Sequence, residues 1–136
     1  MAGYSGTPLV KKLGIKEGFK VAFVNAPKNF ASDLDLPSDV RVNTSTRQPL
    51  DFALLFVKSQ TQLEQKFVQL AAKLKPDGML WVSWPKKSSG VSSDLDENIV
   101  REIGLEKGMV DIKVCAVDEI WSGLKFVIRV KDRPKR

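Results

Sequence analysis

The sequence predicts an α/β protein. We expect a three-layer, open, mostly parallel sheet of about six strands, with helices on both faces and an antiparallel C-terminal edge pair. Residues 50–57 are apolar at nearly every position, as in a strand buried on both faces of a parallel sheet. An amphipathic helix and a further apolar strand follow, and two parallel neighbours need such a crossover. Six residues separate the last two predicted strands, which suits an antiparallel pair.

The N-terminal part of the chain begins with a short helix. Thr7 suits its N-cap, Pro8 suits the first helical position, and Gly14 can end it in a left-handed conformation. Strands are then predicted over residues 20–25 and 40–43, on either side of a loop or short helix around residues 30–36.

Helix boundaries in the second half are predicted from capping residues and glycines. Thr61 with Glu64 three residues later forms a capping box, which predicts a helix that a turn at residues 75–78 ends. A second helix begins at Ser93 or Asp94 and is stopped by the two glycines that follow its apolar stripe, Gly104 and Gly108. The remaining strands are predicted over residues 79–84, 110–117 and 124–130.

Length and charge suggest a single domain with a basic tail. The 136 residues divide into one α/β domain at 1–130, whose first 19 residues are an arm and a short helix, and a tail at 131–136. The net charge is +6, and the tail carries four positive charges and one negative. It is either a solvated tail or a weak contact for nucleic acid or another polyanion.

The chain contains no histidine and one cysteine, Cys115. Triads and zinc sites built on histidine are therefore excluded, one thiolate cannot make a metal site, and we predict no metal. Acid–base chemistry would have to use Asp, Glu, Lys or Tyr. Cys115 lies in an alternating apolar pattern, which predicts a packed thiol in a reduced compartment. With no secretory signal and no membrane-length apolar run, we expect a cytoplasmic protein.

Candidate ligand-binding residues follow from the predicted sheet, because open α/β sheets bind ligands beyond the carboxyl ends of their strands. The lysines and serines that precede the second long helix could hold a phosphate or carboxylate, or form an ordinary solvated loop. Trp81 and Trp84 should point to opposite faces of one strand, with Trp81 in the core and Trp84 in the core or a pocket. The candidates are Asn25, Pro27, Lys28, Ser59, Trp84, Lys86, Lys87 and Ser88.

The connection between the last two strands carries two carboxylates beside an aromatic residue: Asp118, Glu119 and Trp121. Adjacent residues of an extended chain point apart, so the carboxylates are a poor acid–base pair. The segment is predicted to be a structural turn with Trp121 packed over the sheet, or else a partner-binding surface.

Three segments resemble the class I methyltransferase fold: L-x-x-K-x-G-x-K-V at 13–21, L-K-P-D-G-M-L-W-V at 74–82, and the closing strand pair. That family has a D/E-x-G-x-G-x-G loop after its first strand, where this chain has Asn25-Ala26-Pro27-Lys28-Asn29. It has an acidic ribose ligand after its second strand, where this chain has Asn43-Thr44-Ser45. These departures argue against S-adenosylmethionine (SAM) as a cofactor, and no cofactor is predicted.

The chain is also similar end to end to a bacterial family of small proteins, a domain of unknown function. The similarity is carried by residues 4–14, 84–91 and 114–125, and it implies no activity. The function expected from the lost glycine loop is a non-catalytic, Rossmann-like binding or interaction module for a small anion or a protein. One alternative is a small enzyme, an unusual transferase, that uses a basic crevice at the carboxyl edge of the strands. The other is a weak nucleic-acid or polyanion binder that uses the basic tail.

Overall fold

A computed structural model describes residues 8–42 and 49–133. The helices are α1 (Leu9–Leu13), α2 (Gln60–Ala71) and α3 (Glu97–Glu106), and short 3-10 turns cover Lys87–Ser89 and Val130–Asp132. The strands are β1 (Lys20–Val24), β2 (Arg41–Val42), β3 (Leu50–Phe56), β4 (Leu74–Pro85), β5 (Met109–Ala116) and β6 (Trp121–Ile128).

The strands form one mixed sheet in the order β2-β1-β3-β4-β6-β5. The first four strands of this order pair in parallel, whereas β6 is antiparallel to both β4 and β5. The predicted fold class is confirmed, including the antiparallel strands at one edge. β6 lies inside the sheet and β5 forms its outer edge.

Each face of the sheet has its own apolar core. On one face α2 and α3 bury residues such as Phe67, Val100 and Phe126. On the other face α1 and the chain after β1 cover a second cluster, which includes Phe23 and the fully buried Trp81. Trp84 belongs to the first cluster and Trp81 to the second, so the predicted opposite orientation of the two tryptophans is confirmed.

Both long helices are capped by residues other than those predicted. α2 begins before Thr61, and the Oγ of Ser59 accepts a hydrogen bond from the N–H of Gln62 at 3.2 Å. α3 is capped by Asp96, which accepts from the N–H of Ile99 at 2.9 Å. The two residues predicted to cap α3 fasten the start of α2 instead: Ser93 donates to the carbonyl of Lys58, and Asp94 accepts from the N–H of Gln60.

Ser59→Ala should therefore lower the free energy of unfolding by about 1 kcal/mol, because the N–H of Gln62 loses its acceptor. Thr61→Ala is the matched control, since Thr61 lies in the exposed first turn of the helix and alanine favours helix. Urea unfolding of both variants measures the difference. A larger loss for Thr61→Ala than for Ser59→Ala would contradict this assignment of the cap.

Glycines explain two further differences from the predicted elements. The turn predicted at 75–78 is part of β4, where the register with β3 shifts and the backbone of Gly78 lies against the carbonyl of Leu50. Gly104 does not stop α3 but lies inside it, against the ring of Phe126. The predicted left-handed end of α1 is confirmed, with φ of 89° at Gly14.

Several sequence predictions lie outside the described residues. These concern Thr7 and the arm before it, the segment Asn43-Thr44-Ser45, and residues 134–136 of the tail. Of the remaining tail, Arg133 donates to the carbonyl of Ile128 at 3.1 Å.

Cys115 is half-buried. Burial raises the pKa of its thiol, while the charges of Lys113 and Lys12 act in the opposite direction. Among the described helices, none has both the length and the apolar character needed to cross a membrane.

Candidate functional site

The chain leaves β1 through a turn that contains no glycine but has the backbone conformation typical of one. Asn25 has φ of 59° and Asn29 has φ of 67°. Only a few residue types enter this left-handed region readily, and asparagine is among them because its short polar side chain bonds locally. The two asparagines therefore give the turn a left-handed backbone at two positions without glycine.

The same turn leaves backbone donors without acceptors. Within residues 8–42 and 49–133, the N–H groups of Ala26, Lys28 and Asn29 donate no hydrogen bond, while the carbonyl of Pro27 accepts from Phe30. The turn is partly to fully exposed. Backbone N–H groups left free in a turn are available to donate to an anion such as a carboxylate.

A cleft of about 280 Å³ lies between this turn and the β5–β6 connection. Its polar groups are one ammonium, from Lys28, and two carboxylates, from Asp33 and Asp118, beside an apolar wall. The lining residues are Leu9, Pro27, Lys28, Phe30, Asp33, Leu34, Val117 and Asp118. The cleft is therefore at the carboxyl end of β1, where the sheet architecture favours ligand binding.

Aromatic packing fixes the walls of the cleft. Phe30 makes edge-to-face contacts with Phe23 and with Phe56, at ring-centroid distances of 5.4 and 5.0 Å. Phe56 contacts Trp121 in the same way at 5.0 Å. These contacts join the turn after β1 to the start of β6, so that both sides of the cleft are held by one packed cluster.

Trp121 and its neighbours form a structural turn. The Oδ1 of Asp118 accepts hydrogen bonds from the N–H groups of Ile120 and Trp121, both at 2.8 Å. Trp121 has an exposed fraction of 9 %, and its ring belongs to the apolar cluster on the α1 face of the sheet. Glu119 is exposed, and Asp118 has no hydrogen bond at its Oδ2 within the described residues.

The other sequence-predicted residues stay outside the cleft. Asn25 precedes the two cleft residues Pro27 and Lys28, whereas Ser59 uses its hydroxyl to cap α2. Trp84 is 4 % exposed and packs in the core under α2 and α3, so it does not line an edge pocket. The loop that contains Lys86, Lys87 and Ser88 is held by backbone hydrogen bonds at Lys86. The carbonyl of Lys86 accepts from Ser89, and the N–H of Lys86 donates to the carbonyl of Ile120 at 2.7 Å.

Sequence reasoning missed Asp33, Leu34 and Val117 as members of the site. Asp33 and Leu34 lie in an irregular segment with no periodic pattern, and Val117 is at the end of a strand whose pairing brings it to this edge. The one signal that was present is the asparagine content of the turn, since asparagine tolerates left-handed backbone. In the part of the chain that the structure describes, no three Asp, Glu or Cys residues come together as a metal site.

Comparison with known proteins identifies the fold. No family model and no curated protein matches this sequence. Among solved structures, the chain is similar to a precorrin-6y C5,15-methyltransferase from Geobacter metallireducens, with a TM-score of 0.59 and 10% identity over 88% of this chain and 85% of that one. For a SAM dependent methyltransferase from Aquifex aeolicus the TM-score is 0.57 and the identity 15%, over 87% and 86% of the two chains.

A third similar structure is a magnesium protoporphyrin IX methyltransferase from Synechocystis with bound SAH, which has a TM-score of 0.56 and 10% identity over 88% of this chain and 78% of that one. These proteins have the class I methyltransferase fold, and the described chain has the same methyltransferase-like α/β architecture. The identities are low, so this likeness establishes the fold alone.

Two predictions are overturned by these comparisons. The expectation of a non-catalytic module is wrong, because the structural neighbours are methyltransferases. The argument against SAM is wrong as well, because neighbours with this fold bind SAM or SAH. That argument relied on the missing glycines and the missing acidic ribose ligand; at Asn25 and Asn29 the chain has a left-handed backbone without glycine. The findings favour the alternative of a small transferase.

Proposed function

We propose that this chain is a small transferase that binds SAM at the carboxyl end of β1 and transfers its methyl group. The proposal is supported by the methyltransferase-like fold and by the cleft beside the turn after β1. The observation that carries it is the match of charges between that cleft and the ligand. The cleft combines the ammonium and the unpaired N–H of Lys28 with the carboxylates of Asp33 and Asp118, and the unpaired N–H groups of Ala26 and Asn29 are in the adjoining turn.

The charges of SAM are complementary to this set. Its methionine part carries a carboxylate, an ammonium group and a sulfonium. The turn donors and Lys28 suit the carboxylate, while Asp33 and Asp118 suit the two cationic groups. A cleft of about 280 Å³ is slightly smaller than typical ligand clefts, which are roughly 300–1,000 Å³, and so suits the methionine part alone.

When bound, SAM supplies an electrophilic methyl group for a nucleophilic acceptor. The chain's own contribution is to bind and orient the reactants, because methyl transfer depends on in-line positioning. With no histidine in the sequence, any proton acceptor would be an Asp, Glu, Lys or Tyr side chain. The Oδ1 of Asp118 holds the turn, which leaves its Oδ2 to face a cationic group of SAM.

Asp33→Asn and Asp118→Asn test the proposal. Each should weaken SAM binding about fivefold, the effect of losing about 1 kcal/mol from an exposed charge pair. Asparagine keeps a side-chain oxygen that can accept from Ile120 and Trp121, so the turn should persist. SAH keeps the ammonium but lacks the sulfonium charge, so its affinity should fall less than that of SAM in the variant whose carboxylate faces the sulfonium. Isothermal titration of both ligands against each variant measures the difference.

Asp77→Asn is the matched control, because Asp77 is an exposed carboxylate in β4 that does not line the cleft. It should leave both affinities unchanged. Absence of SAM and SAH binding to the wild-type protein at millimolar concentration would refute the proposal. Equal losses for SAM and SAH in the two site variants would refute the charge argument.

We further propose that the chain is a cytoplasmic protein of the bacterial family to which residues 4–14, 84–91 and 114–125 are similar. A single domain over residues 1–130 is part of this proposal. The half-buried, unpaired Cys115 supports a reducing compartment. Relatives of this family should keep asparagine or glycine at positions 25 and 29, because the left-handed backbone there restricts the residue type.

A further inference from the structure

Two lysines lie directly opposite each other on neighbouring strands, away from the cleft. Lys113 of β5 pairs with Lys125 of β6, and Lys125 pairs on its other side with Trp81 of β4. The Cβ atoms of directly opposite residues are roughly 4.5–5.5 Å apart, and like charges in this arrangement destabilise a sheet.

Both lysine side chains lie on the face covered by α1. The Nζ of Lys113 donates to the carbonyl of Lys12 at 2.9 Å, near the end of α1. The Nζ of Lys125 is 3.6 Å from the position that a Cβ would take on Gly14. Gly14 precedes β1, so this cluster is toward the amino ends of the parallel strands, whereas the cleft is at their carboxyl ends.

Lys16 adds a third positive charge to the pair. Burial lowers the pKa of Lys125, and the charges of Lys113 and Lys16 lower it further. Lys125 is therefore repelled by the charges of both Lys113 and Lys16. The carbonyl of Lys12 compensates part of this repulsion at Lys113, but a backbone carbonyl carries no net charge.

No carboxylate neutralises this cluster within the described residues. Lys16, Lys113 and Lys125 take part in none of the ion pairs found there. Elsewhere the chain does pair its cations: Lys75 contacts Asp51 at 3.0 Å, and Arg101 contacts Asp111 at 2.8 Å. The repulsion among the three lysines is thus left for an external anion to relieve.

We propose that Lys16, Lys113 and Lys125 form a binding site for a phosphate group on the α1 face of β5 and β6. For a site of three ammonium groups, a dianionic phosphate is a better match in charge than a monoanionic carboxylate would be. Lysine binds phosphate as a point charge. The phosphate can belong to a small phosphorylated molecule or to a nucleic-acid backbone. The site is separate from the SAM cleft and does not depend on it.

The test compares the double variant Lys113→Gln/Lys125→Gln with the control Lys66→Gln/Lys107→Gln. Each pair lowers the net charge of +6 by two. The control lysines belong to α2 and to the end of α3, on the other face of the sheet. The probes are inorganic pyrophosphate, followed by calorimetry, and a fluorescent 12-nucleotide single strand, followed by anisotropy in about 50 mM salt.

We expect the site variant to lose at least about tenfold in affinity and the control to change less than about twofold. If the wild-type protein binds pyrophosphate and the site variant does not, the ligand is a small phosphorylated molecule. If the wild-type protein binds only the oligonucleotide, the ligand is a nucleic-acid backbone. Failure of the wild-type protein to bind either probe would overturn the proposal. So would equal losses in the two double variants, or equally tight binding of poly-glutamate.

The melting temperature of the site variant should be no lower than that of the wild-type protein, because the substitutions remove the repulsion between opposite lysines. Lys16→Gln provides a second test at an exposed position outside the sheet, and it should weaken the same probe. SAM affinity, measured in parallel, should be unchanged in every lysine variant. This separates failure of the phosphate site from failure of the proposed transferase function.

Discussion

Gly104→Ala should lower the free energy of unfolding by about 2–3 kcal/mol. A Cβ at this position would lie 2.0 Å from Cε1 and 2.4 Å from Cζ of Phe126, whose ring is fully buried. Overpacking of this kind costs about 1–3 kcal/mol, with larger costs where the neighbour cannot move. The gain of about 1 kcal/mol for alanine in a helix does not offset it. Urea unfolding followed by circular dichroism measures the change.

A second substitution can show that the ring is the cause. Phe126→Leu should be destabilising in the wild-type protein but much less so in the Gly104→Ala background, because the smaller side chain leaves space for the new methyl group. Gly18→Ala is the control: its Cβ would meet nothing within 4 Å, and its φ of 78° predicts only backbone strain of about 1 kcal/mol. A loss at Gly104 no larger than at Gly18 would contradict the packing argument.

The same glycine shows where sequence reasoning about the fold ends. The apolar run of β3 and the periodicity of α2 predicted both elements, because their signals repeat along the chain. Gly104 was interpreted as a helix stop by a local rule, yet its role depends on Phe126, which is 22 residues away. Gly78 is a similar case, since its backbone lies against the carbonyl of Leu50. Contacts between distant residues leave no local pattern.

The candidate site was predictable in position but not in composition. Open α/β architecture places ligands at the carboxyl ends of the strands, and this rule pointed to Pro27 and Lys28, which line the cleft. Asp33 and Val117 became neighbours only through the folded path of the chain. The prediction about SAM relied on missing motif residues, and it is overturned by neighbours of the same fold that bind SAM or SAH at about 10% identity.

Trp81→Phe should cost about 2–3 kcal/mol of stability, and Trp81→Ala about 4 kcal/mol. Trp81 is fully buried, and its indole N–H donates to the carbonyl of Leu13 at 2.8 Å. Phenylalanine removes volume and leaves that carbonyl without its partner. Trp84→Phe is the matched control: Trp84 is buried on the other face, and its indole N–H makes no hydrogen bond within the described residues.

The hydrogen bond from Trp81 to Leu13 holds α1 against the sheet. We therefore expect replacement of Trp81 to destabilise α1 more than the rest of the protein. Leu9 of α1 lines the cleft, and the helix has only five residues, too few to be stable without tertiary contacts. In Trp81→Phe, hydrogen exchange should accelerate at the N–H of Gly14, which bonds to Val10, more than at that of Val100 in α3. Weaker SAM binding should accompany it. Equal exchange at both amides, or equal destabilisation by Trp84→Phe, would show that the hydrogen bond to Leu13 does not hold α1 in place.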